Sequence, residues 1–111
     1  MRNPRQKNNK HLAFIRRLPC LICGNDTQTE AAHIRYGDPT IAKQAAGLGQ
    51  KPHDMFTVPL CNKHHREQHN FGEQKWWELR AIDPVKTALA LYAETGNYER
   101  GARIAIAWLS R

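Results

Sequence analysis

Four soft metal ligands stand in two short pairs: Cys20 and Cys23 in "LPCLICG", and Cys61 and His64 in "VPLCNKHHREQH". Two thiols with two residues between them, followed at domain-scale separation by a thiol and an imidazole in the same spacing, make a Cys3His set. Tetrahedral zinc takes such a set in structural sites, with every coordination position filled and none left for substrate. Three cysteines cannot all pair within one chain, and the Cys20-Leu21-Ile22-Cys23 spacing is commoner in zinc knuckles than in disulfide frameworks. The set is therefore expected to be a staple that supplements a small core, because metal binding contributes on the order of 10 kcal/mol to the folding of small zinc domains.

The second half of the same stretch holds a different spacing. His65 follows His64 directly, so on a helix it points about 100° away and cannot easily serve the same ion. His69 lies four residues beyond His65, one turn on and on the same face, the spacing by which a helix offers two imidazoles to one metal. His33 in "EAAHIRYG" and Asp54 in "KPHD" are expected at the edges of two short strands, so that strand, strand and helix bring His33, Asp54, His65 and His69 together.

The elements that must position these groups are legible in outline. Residues from about Lys10 to Arg17 suit a short helix ended by Pro19, since the residue before a proline is pushed out of the helical region. Gln28 to Arg35 reads as extended, and "FTVPL", residues 56 to 60, as a second strand that Pro59 restricts to an edge or a strand end. Residues 36 to 54 read as a long loop with one helical turn near Ile41 to Ala46. After Cys61 the pattern turns helical, and Gly72 interrupts it before "EQKWWELR". Asp83 before Pro84 is a helix start with Gly96 as its stop, and a last helix is expected from Tyr98 to Leu109. Val85, Leu89 and Tyr92, with Ile104 and Trp108, recur at helical spacing as core, and of Trp76 and Trp77 at least one is expected to pack inward.

The chain has 111 residues, room for one modest core. Lys and Arg outnumber Asp and Glu by 17 to 10, and a net charge of +7 points to an anionic partner. Arg2, Arg5, Lys7, Lys10, Arg16 and Arg17 precede the first acidic residue, Asp26, and form a basic arm or helix over residues 1–17, ahead of a single domain over residues 18–111. No segment approaches the roughly 18 consecutive apolar residues of a membrane span, and the N-terminus lacks the apolar stretch of a secretory signal, so a cytoplasmic protein with no membrane partner is expected.

Taken in order, "LPCLICG", "AAHIRYG", "GLGQKPHD" and "VPLCNKHHREQH" resemble the HNH endonuclease superfamily, and within it the small phage and prophage nucleases associated with recombination. The likeness spans roughly residues 18 to 69 and continues more weakly through "GEQKWWELRAIDP". It implies an α+β fold, a zinc-stapled ββα-metal core with additional C-terminal helices. It implies that His33 is the general base and that His65 and His69 hold a catalytic cation, Mg2+ or another divalent ion, beside structural Zn2+ on Cys20, Cys23, Cys61 and His64. Asp54, near the place of the asparagine in the family name, either orients His33 or completes the metal shell, with His53 as an alternative donor. Ala32 departs from the pattern, because many members carry an acidic residue or a histidine just before the base.

The implied activity is metal-dependent hydrolysis of DNA phosphodiesters with low intrinsic sequence specificity. Arg35, Lys51, Lys63 and Arg66 flank the site and are expected to grip the phosphate backbone without reading bases. The alternative is a zinc-stabilised DNA-binding or adaptor module without catalysis, for which Ala32 speaks. A third reading is an interaction module whose tryptophans and C-terminal helices dock a recombination or replication protein.

Overall fold

A computed structural model describes residues 7–37 and 53–110. The expected helical turn at 41–46, Lys51, Arg2 and Arg5 lie outside the described residues. The fold is α+β: two antiparallel strands and five helices among the described residues, in the order α1 (Asn9–Arg16), β1 (Thr29–His33), β2 (Thr57–Cys61), α2 (Asn62–Phe71), α3 (Glu73–Leu79), α4 (Pro84–Ala93) and α5 (Tyr98–Ile106), closed by a 3-10 turn over Ala107–Ser110.

The strands pair with Thr29 opposite Cys61 and His33 opposite Thr57. Successive side chains of a strand point to opposite faces. On β1 the alternation places Ala32, followed by Ile34, in the larger apolar cluster with Val58, Leu60, Trp76, Trp77 and Val85. Ala31 faces a smaller cluster of Phe14, Ile15, Leu18 and Leu91. Helices thus cover both faces, and β2 is buried at all of its positions. Pro59 is tolerated because a two-stranded sheet has only edge strands, and its carbonyl accepts from Leu21 N at 3.1 Å. That bond ties the Cys20–Cys23 turn to the strand.

Local chemistry explains the helix ends. Asn8 caps α1 by accepting from His11 N, Asp83 caps α4 by accepting from Lys86 N with Pro84 in the first turn, and Asn97 caps α5 by accepting from Arg100 N. Gly72 takes φ 103° between α2 and α3, a conformation that side chains disfavour. Gly101 is required by closeness instead, since a Cβ there would sit 2.6 Å from the Phe14 ring. Here α5 meets α1.

Several expectations shift in detail. The basic segment is not separate from the body from Asn9 onward, because Leu12, Phe14 and Ile15 of α1 are buried. The helix begun at Asp83 ends at Ala93, short of Gly96. Both Trp76 and Trp77 are 1% exposed and meet edge to face at 4.9 Å, so neither ring is available to stack on a base. Tyr92 is not core. It is exposed and presents its ring to His11 edge-on at 4.7 Å. No helix among the described residues is long and apolar enough to cross a membrane.

His11 is wholly buried, with Nδ1 2.7 Å from Thr95 Oγ1 and no partner for Nε2 among the described residues. Burial pushes its pKa down to about 4, against the upward pull of the Asp54 carboxylate. Its folded pKa lies below the unfolded value, so the unfolded chain binds the extra proton between pH 6.5 and 4, and stability present above pH 6.5 is lost as the pH falls through that window. The loss reaches about 3 kcal/mol below pH 4. Urea unfolding of wild type and His11→Leu at pH 8 and pH 5 checks this. The wild type is expected to lose about 2 kcal/mol more than the variant, and equal losses would remove His11 as the cause.

Candidate metal centre and its neighbouring histidines

Cys61 is both the last residue of β2 and the residue that precedes α2, with extended φ and ψ of −66° and 160°. Its thiol therefore sits at a helix N-terminus, where backbone N–H groups and the helix dipole favour a thiolate. His64, one turn on, brings Nδ1 to 3.1 Å from Cys61 Sγ and 3.8 Å from Cys20 Sγ, while Cys23 Sγ lies 3.8 Å from Cys61 Sγ. All four donor atoms fall within 4.8 Å of one another, and the three cysteines are free. Tetrahedral zinc with Zn–S of about 2.3 Å separates two sulfurs by about 3.8 Å, and a sulfur from an imidazole nitrogen by about 3.6 Å. The set has the identity and the size to hold a metal such as zinc.

The protonation tendencies of Cys61 and His64 suit metal ligands, while that of Cys20 opposes the role. Burial pushes the Cys20 thiol up to about 11. Burial also acts upward on Cys61, but the backbone N–H groups of His64 and Lys63 and the thiols of Cys23 and Cys20 outweigh it, and the net shift is downward. Burial, with Lys63 and Arg80 against Glu67, lowers His64 and keeps its imidazole neutral, as a ligand must be. A dication would deprotonate the remaining thiols outright.

The neighbouring histidine turns the other way, as its helix position requires. His65 Nδ1 meets Glu30 Oε1 at 2.8 Å, and His65 Nε2 lies 3.2 Å from His69 Nε2. Glu30 accepts from Nδ1–H and so puts the His65 lone pair on Nε2, toward His69. Two nitrogens 3.2 Å apart match the separation of two imidazole ligands at 2.0–2.1 Å from one ion, which is about 3.0 to 3.4 Å. Burial, followed by the positive neighbours His65 and Arg35 against Glu30, lowers the pKa of His69 and favours its neutral form.

His33 keeps different company. Its Nε2 is 2.9 Å from Asp54 Oδ1, and Asp54, 1% exposed, accepts from Asn8 N through Oδ2 at 2.7 Å. Asp54 is thereby the partner of His33, held by the N-terminus of α1. His53 supplies its carbonyl to Phe56 N. Glu30 and His33 are three positions apart on β1, about 10 Å along the strand and on opposite faces by alternation. The described residues thus form three sets: Cys20, Cys23, Cys61 and His64; Glu30, His65 and His69; Asn8, His33 and Asp54.

Glu30 and the Asn8 backbone are the groups that spacing did not reveal. Glu30 is the one carboxylate on β1, and it became a neighbour of α2 only through the register that pairs it with Leu60. Of the expected phosphate contacts, Lys63 and Arg66 are exposed on α2. Arg35 gives its backbone N–H to Glu73 Oε1 at 2.8 Å.

The profile of the family described as "Protein of unknown function (DUF968)" matches residues 1–88. The chain belongs to the DUF968 family. A member of the curated proteins, "Uncharacterized protein YdfU" of Escherichia coli (strain K12), is 32% identical over 82 residues, covering 67% of this chain. The chain spans 22% of the length of that relative. No solved structure gives a significant match. The matched residues 1–88 contain all three sets of the DUF968 chain described above.

Native mass spectrometry and zinc analysis are expected to find about one tightly held zinc per chain, and Cys61→Ser to lose both the metal and the cooperative melt. A metal-free protein with unchanged melting temperature would contradict the Cys3His assignment. Glu30→Gln keeps the size of the side chain but not its charge. If His65 and His69 hold a divalent ion, this change is expected to weaken Mn2+ or Co2+ binding by 10- to 100-fold without affecting a zinc ion held by the Cys3His set, read by titration of the zinc-loaded protein. Unchanged affinity would show that the carboxylate does not orient the ring.

Proposed function

We propose that this DUF968 protein is a metal-dependent DNA endonuclease of the HNH kind. The observation that carries the reading is the His33–Asp54 pair: a buried carboxylate held by a helix N-terminus lies 2.9 Å from His33 Nε2 and orients the ring. Such a carboxylate-oriented imidazole is equipped to act as a general base toward water. The hydroxide so formed attacks phosphorus, the P–O bond on the far side breaks, and the departing oxygen takes a proton from solvent. His65 and His69 would hold a divalent ion, which would supply positive charge where negative charge develops in the reaction. His33 and the residues that would hold the cation would then have to face the same scissile phosphate. Both sets draw on one short hairpin, but Glu30 and His33 stand on opposite faces of β1, so the reading requires the scissile phosphate to reach both around the end of the strand. The +7 net charge supports a nucleic-acid partner held through its phosphates, and Lys63 and Arg66 are exposed on the face of α2 away from His65 and His69. The Cys3His cluster serves as the anchor that fixes where α2 begins.

A second reading is favoured by Ala32. It is buried in the core beside Val58 and Leu60, and the position that would offer the cation a ligand next to the base is apolar. Under that reading the domain binds DNA and cuts nothing.

Supercoiled plasmid incubated with zinc-loaded protein and Mg2+ or Mn2+ separates the two. Nicking is expected, with a fall of at least about 100-fold on His33→Ala, the lower range for a lost general base. Nicking that survives His33→Ala unchanged would sink the assigned base. DNA retained at low salt but left intact with every divalent ion would establish the binding module.

A further inference from the structure

The outward stripe of α2 carries a feature that none of the three sets uses. Lys63, Arg66, Glu67, Asn70 and Phe71 recur at helical spacing on the side away from His65 and His69, and line an open depression of about 410 Å3, within the size range of small-ligand sites. Phe71 is 54% exposed at the last position of the helix, where the turn at Gly72 leaves its ring outside the core. The one carboxylate in the lining is already matched, because Glu67 Oε1 accepts from Arg80 Nη2 at 2.5 Å and from Trp76 Nε1 at 3.1 Å. The field in the depression is therefore set by Lys63 and Arg66.

We propose that this depression binds an unpaired nucleotide of a DNA strand, its base stacked on Phe71 and its flanking phosphates on Lys63 and Arg66. The proposal rests on the nucleic-acid reading above and adds the form of the substrate. A half-exposed aromatic ring flanked by two cations and an amide fits a ligand with an apolar planar face and anionic links on either side, which is what a nucleotide is. An apolar protein partner would leave both cations against a surface that cannot pair them, at a desolvation cost. A base inside a duplex offers only its edges, so a ring that binds by its face selects a strand with bases out of the stack. Asn70 beside Phe71 places an amide donor and acceptor where a base edge would lie.

Fluorescence anisotropy tests this with the zinc-loaded full chain and no added divalent ion, using three labelled probes of equal length: a single strand, the same strand with every base removed, and a blunt duplex. Phe71→Ala is expected to weaken the base-bearing single strand roughly tenfold and to leave the abasic strand and the duplex unchanged, with Phe71→Trp restoring affinity. Lys63→Ala and Arg66→Ala are expected to weaken all three and to reduce the salt slope by about one each. An exposed Phe71 can be replaced without unfolding, which circular dichroism verifies. Equal loss on the base-bearing and abasic strands, or no loss on Phe71→Ala, would overturn the stacking site and mark the ring for a protein contact. No binding of any probe by wild type at low salt would instead remove the nucleic-acid reading itself.

Discussion

The fold turns on Cys61. One residue closes β2, opens α2 and presents a thiol to the Cys20–Cys23 turn and to His64. A metal drawn to those four atoms would lock the strand-to-helix junction, and with it the rotational setting of α2 about its axis. Everything that follows on the helix inherits that setting. With His64 turned to the thiols, His65 and His69 are carried to the Glu30 side, Gln68 is carried inward, and Lys63, Arg66 and Phe71 are carried outward. A helix of three turns thereby distributes four jobs by angle alone.

The strand pair performs the complementary task. Because β1 alternates, Glu30 serves the helix on one side while His33 serves Asp54 and α1 on the other. Small residues lie between them, with Ala31 and Ala32 letting helices approach both faces. The same closeness of helices explains Gly101 against Phe14. The burial of two tryptophans in so small a core is the main apolar investment of the chain, and it spends on packing the aromatics that would otherwise suit nucleic acid.

Asp54 illustrates how a buried charge is tolerated. A carboxylate withdrawn from water is stable only when its oxygens are hydrogen-bonded, and here one oxygen takes a ring nitrogen while the other takes a backbone N–H at the start of α1. The N-terminal helix is thus part of the His33 environment. Its buried His11 lies close enough to feel the same carboxylate.

The sequence by itself determined the zinc-type donor set, since ligand identity and the two-residue gaps are local properties that survive any tertiary arrangement. It also determined the divergence of His64 from His65, which follows from 100° per helical residue, the cap at Asp83, and the strand positions of His33 and Thr57. Only the tertiary structure decided that Asp54 belongs to His33, that Glu30 aligns His65, that both tryptophans face inward and that Phe71 does not. Each of these depends on strand register and on which face of a helix meets another element. Such long-range pairings are set by the sum of many weak packing contacts, and no single spacing along the chain encodes them.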